Sequence, residues 1–102
     1  GGSEKAWSSE RAQKLREQGW SIIAPELRAT GKFANPGDKI VNAIDHNTAE
    51  WAIWIGRPLV GQWVHDIRQT IDAVVELSGS TPKEIMIVGA GSSGTVALFS
   101  AA

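Results

Sequence analysis

A three-layer α/β/α sandwich, with helices crossing over between parallel strands, is the fold class this sequence predicts. Two apolar runs of strand length, Trp20-Ser21-Ile22-Ile23-Ala24 and Ile85-Met86-Ile87-Val88, are separated by helical patterns. A long amphipathic stretch lies between them, from Pro58 to Gly79. A glycine-rich turn, Gly89 to Gly94, follows the second run and leads into another helical stretch. Two strands leave edges unpaired and apolar faces uncovered, so the pattern implies part of a larger sheet, or a sheet completed by self-association or by a missing chain segment.

The first helix is expected from Trp7 to Gln18, where Glu10 to Glu17 are strong helix formers and Gly19 stands at the left-handed stop position. The run at Trp20 follows directly and is stopped by Pro25, as in a parallel strand buried on both faces. From residue 28 to 47, Gly31, Asn35, Pro36, Gly37 and Asp38 predict a long irregular excursion with one apolar patch at Ile40-Val41. Thr48 is placed to cap a short helix reaching Ile55, closed by Gly56. Pro58 opens the best-defined helix. Its Val60, Val64, Ile67, Ile71, Val74 and Val75 recur at three- and four-residue spacings, and Trp63 and Leu77 widen the stripe before Gly79. Ser80-Thr81-Pro82-Lys83 turns the chain into the second apolar run, and a last helix is expected from Thr95 to Ala102.

At 102 residues, 42% hydrophobic and 21% charged, the chain is bounded to one soluble domain, residues 1–102, read as partial. Residues 1–3, Gly-Gly-Ser, are equally explained as a cloning remnant. Ten basic and eleven acidic residues are scattered evenly, which disfavours nucleic acid and anionic membrane as partners. No apolar run has the roughly 18 residues of a spanning helix, and no signal-peptide pattern opens the chain. The absence of cysteine removes disulfides, thiolate catalysis and thiolate zinc sites, and leaves the compartment undetermined. Five tryptophans are expected chiefly in the core, with Trp51 and Trp54 the pair to inspect as an aromatic binding surface.

Three stretches together resemble the α/β-hydrolase superfamily, in its acetyl xylan esterase and dienelactone-hydrolase-like branch. Gly19 to Gly31, with Pro25-Glu26-Leu27-Arg28, is similar to that family's fourth strand and following loop. Gly56-Arg57-Pro58-Leu59-Val60-Gly61-Gln62, with Asp66-Ile67-Arg68 and Ile71-Asp72, resembles the helix before the nucleophile strand. Ile85 to Gly89, leading to Gly94 and Ala97-Leu98, resembles the nucleophile strand and its elbow. The resemblance implies a parallel sheet, hydrolysis of a small ester by an elbow serine, and no cofactor.

An elbow needs small residues two positions either side of its nucleophile, because the turn is tight. If Gly94, Ala97 and the strand length set the register of Gly89-Ala90-Gly91-Ser92-Ser93-Gly94, the nucleophile position is Gly91 and the nucleophile is lost. One residue on, Ser92 becomes the nucleophile and the Ser93 N–H an oxyanion donor. Gly1-Gly2 falls where the family places another oxyanion donor. Only His46 and His65 are present, both before the elbow, so no triad in the family's order closes within these residues. The chain therefore reads as a fragment of an esterase-type hydrolase, inactive alone, or as a non-catalytic structural or interaction module of the same fold.

Gly89-x-Gly91-x-x-Gly94 between an apolar run and a helix is also a dinucleotide fingerprint, so a nucleotide-binding segment using those three glycines stays open. Asp45-His46 and His65-Asp66 lack a third ligand at a suitable spacing, and no metal is expected.

Overall fold

The stretches with helical composition form helices, and the two strand-like runs remain unpaired. The computed structural model describes residues 2–102. It contains α1 (Gly2–Trp7), α2 (Glu10–Glu17), α3 (His46–Trp54), α4 (Leu59–Ser78) and α5 (Ser92–Ala101), with 3₁₀ turns at Gly31–Phe33 and Pro36–Asp38. The chain divides into two compact units, Gly1–Glu50 and Trp51–Ala102.

In the first unit, the single helix expected from Trp7 is two helices broken at Ser8-Ser9. The hydroxyls of both serines turn back onto α1, donating to the Glu4 and Ala6 carbonyls at 2.8 Å each. Such bonds compete with continuation of the helix. Ser9 then restarts it as an N-cap, its Oγ accepting from the Ala12 N–H at 3.1 Å. Gly19 takes φ +91°, and the Gly19 and Trp20 N–H groups close α2 on the Arg16 and Leu15 carbonyls, so the expected stop operates. Arg16 ties the two helices together, with its guanidinium 4.7 Å from the Trp7 ring centre and its Nη1 donating to the Trp7 carbonyl at 2.9 Å.

In the second unit, α4 follows the predicted amphipathic stripe. Leu59 and Trp63 are buried, and Val64, Ile67, Ile71, Val74 and Val75 are half-buried. At about 1.5 Å per residue the helix is some 30 Å long, and it ends at Gly79 with φ +70°, where the predicted stop lies. It packs against α5, which buries Val96 and Ser100. Val60 and Leu77 lie outside the covered stripe at 41% and 88% exposed, so their places in the predicted face are corrected.

The α/β/α sandwich and its parallel sheet are not formed. Among the described residues there is no β-strand, and the only bridge is an isolated antiparallel one between Ile40 and Ala43. The run from Trp20 to Leu27 and that from Glu84 to Ala90 pass without turn, bend or ladder. Their composition signals a tendency to be buried, whereas a strand exists only when a neighbour completes its hydrogen bonds. Without the sheet, the fold that the α/β-hydrolase resemblance implies is absent. Its acetyl xylan esterase-like reading loses the scaffold on which an elbow would stand.

The expectation of core tryptophans also needs correction. Trp63 is buried and Trp20 half-buried, but Trp7, Trp51 and Trp54 are 49%, 65% and 76% exposed. Short helices offer too little facing surface to cover three indoles.

Candidate functional site

The turn from Glu84 to Gly94 brings together most of the residues singled out in the sequence. Ile85, Met86 and Val88 are about half exposed, at 53%, 50% and 49%, while Ile87 is half-buried. No backbone hydrogen bond joins Ile85–Val88 to any part of the chain among the described residues. Gly91 then reverses the direction at φ +59°, ψ −132°, a conformation that side chains oppose, and α5 begins at Ser92. Gly89 lies against the first turn of α5, where a β-carbon would overlap the Ser93 carbonyl. These two glycines are needed for different reasons, Gly91 for its dihedral angles and Gly89 for close approach.

The strained position of the turn is thus Gly91, which has no side chain, and Ser92 is an ordinary first residue of a helix. The Ser93 hydroxyl is engaged locally, donating to the Ala90 carbonyl at 2.7 Å while the Ala90 N–H donates back to Ser93 Oγ at 3.1 Å. Gly94 lies inside α5, its N–H bonded to the Gly91 carbonyl at 3.0 Å. No hydrogen bond links Ser92 or Ser93 to a histidine or a carboxylate among the described residues. His46 Nδ1 faces Asn47 Oδ1 at 3.3 Å on α3, and His65 is exposed on α4. The oxyanion position considered at Gly1-Gly2 lies partly outside the described residues. Among the latter, no group of three or more His, Asp or Glu residues is arranged to hold a metal ion.

Two polar clusters in the first unit escape sequence reasoning. Asp38, only 6% exposed, accepts a hydrogen bond from the Thr48 hydroxyl, and Asn47 Nδ2 donates to the Gly37 carbonyl at 3.3 Å. Thr48 therefore lies within α3 and holds the loop, where a helix cap is expected. The second cluster centres on Glu26, whose carboxylate accepts from the Ser3 hydroxyl and from the Lys32 N–H at 3.3 Å. Lys32 Nζ pairs with Glu4 at 3.1 Å. The Ser3 hydrogen bond, with a smaller contribution from the Lys32 N–H, holds the Glu26 carboxyl below its ordinary value, and Lys32 does the same for Glu4. The turn residues between 28 and 38 announce a loop, but nothing in their spacing indicates which carboxylate will be enclosed.

A third feature is apolar. Trp51, Ile53, Trp54 and Ile55 are each at least 65% exposed, covering the end of α3 and the residue after it. No helix among the described residues is long and apolar enough to cross a membrane.

No known protein family, curated protein or solved structure matches this chain. The hydrolase and esterase assignments consequently have neither a fold nor a relative to stand on, and both are withdrawn.

Proposed function

We propose that this chain is a non-catalytic association module that completes its apolar core against a second polypeptide. One observation carries the reading. The buried apolar residues are Ala12, Ala29, Ala52, Leu59, Trp63 and Val96, whereas Ile85, Met86, Val88, Trp51, Trp54, Leu98 and Phe99 stand about half exposed or more. Burying apolar surface yields about 25 cal/mol per Å², and exposed apolar surface on this scale marks an interaction face. That the strained position of the turn falls on Gly91, which carries no side chain, supports the non-catalytic part.

Binding that favours the folded state raises stability with concentration. Analytical ultracentrifugation and thermal melts across a concentration series are expected to show association together with a rising Tm. A monomer with a concentration-independent Tm would sink the proposal. Turnover of p-nitrophenyl acetate that disappears in Ser92→Ala would replace it with an enzyme.

A further inference from the structure

Resting on the association reading, we infer that two copies of this chain join by antiparallel pairing of their Glu84–Ala90 runs, with Ile87 opposite its own copy. The run is the one place where three conditions for strand pairing coincide. It passes without turn or bend, its residues Ile85–Val88 have no backbone hydrogen bond within the described chain, and Ile85, Met86 and Val88 stand about half exposed around a half-buried Ile87. Unpaired N–H and C=O groups in an extended apolar segment are a template for another strand.

Charge selects the occupant. From Ile85 to Ala102 there is no Asp, Glu, Lys, Arg or His. Proteins that keep strand edges apart place charges or proline on them, and residues 85–90 have neither, while Glu84 at the end of the run falls opposite Ala90 of the second copy and not opposite its own copy. A charged partner finds nothing here to recognise. An identical neutral, β-branched segment meets no like-charge repulsion, and a short uncharged run of this kind is the usual signature of self-pairing. Copies related by a two-fold axis pair through the same patch on each. In an antiparallel ladder such an axis places one residue opposite itself, and Ile87 is the midpoint of Glu84–Ala90. Met86 then faces Val88 of the second copy, and apolar cross-strand pairs of this kind are stabilising.

The chain contains no cysteine, so the register can be read by crosslinking. Opposed residues in an antiparallel pair lie about 4.5–5.5 Å apart between Cα atoms, within the range a disulfide spans. Oxidation of Ile87→Cys is expected to give covalent dimer in severalfold higher yield than Thr81→Cys, and hydrogen exchange at residues 85–89 should slow as concentration rises. Ile87→Pro should return the chain to monomer while keeping the α4 and α5 helicity seen by circular dichroism. A dimer that neither crosslinks through Ile87→Cys nor protects residues 85–89 overturns the strand pairing and leaves the association reading standing. A monomer at every concentration overturns both.

Discussion

Gly89 and Ser93 meet backbone to backbone: the Gly89 α-carbon lies so near the Ser93 carbonyl that no β-carbon fits between them. Gly89→Ala must therefore push the apolar run away from α5, at a cost of about 1–3 kcal/mol. At Gly94, three residues after Gly91, the nearest atom to an added β-carbon is the Gly89 carbonyl oxygen at 3.5 Å, an ordinary contact. Gly94→Ala should raise stability by up to about 1 kcal/mol, since alanine favours the helix. Thermal melts of the two variants should move in opposite directions.

Val41 holds φ +55°, a left-handed conformation that a β-branched residue adopts only under strain, and it is 81% exposed. Val41→Gly removes the strain and little packing. A gain of about 1 kcal/mol is expected in denaturant unfolding, and a loss would show that the turn at Ile40–Ala43 depends on the valine side chain.

Thr48→Val keeps the shape of the side chain and removes the donor that satisfies the buried Asp38 carboxylate. The cost should be about 1–3 kcal/mol, concentrated in faster hydrogen exchange across residues 35–49. Unchanged exchange there would mean that the Thr48 hydroxyl does not hold the loop.

Val96 is 3% exposed on α5 and Leu98, two residues on, is 70% exposed. Val96→Ala should cost about 2 kcal/mol. Leu98→Ala should stay within about 0.5 kcal/mol in the monomer. Equal effects would contradict the packed face of α5.

Glu26 and Glu4 are both held below the ordinary glutamate value of 4.5, by the Ser3 hydroxyl in the first case and Lys32 in the second. A lowered folded value means that the contribution is present above the unfolded value and is lost as pH falls through the folded one. Loosening of α1, followed by Trp7 fluorescence, should therefore set in below pH 4.5 and not near neutrality. Glu26→Gln should reduce this acid transition, and an unaltered one would assign it to other carboxylates.

The helices were largely legible because their evidence is local. Gly19, Gly56 and Gly79 all take positive φ next to the helix ends they were expected to close, and the α4 stripe is partly covered as its spacing requires. The Ser8-Ser9 break is not legible, since helix propensity alone does not register hydroxyls that turn back on the preceding carbonyls. At the candidate site, the glycines at 89 and 91 were legible as a tight turn. Which of Gly91 or Ser92 takes the strained conformation was not, because two registers fit the same letters.

Residue order alone was sufficient for the helical segments, their stops and the glycine turn, whose hydrogen bonds and dihedral limits lie within a few positions. It could not tell whether the runs at Trp20 and Ile85 become strands, which tryptophans are covered, or that Asp38 would meet Thr48. Each of these depends on a partner brought close in space, and an apolar side chain carries no record of which surface, if any, will reach it.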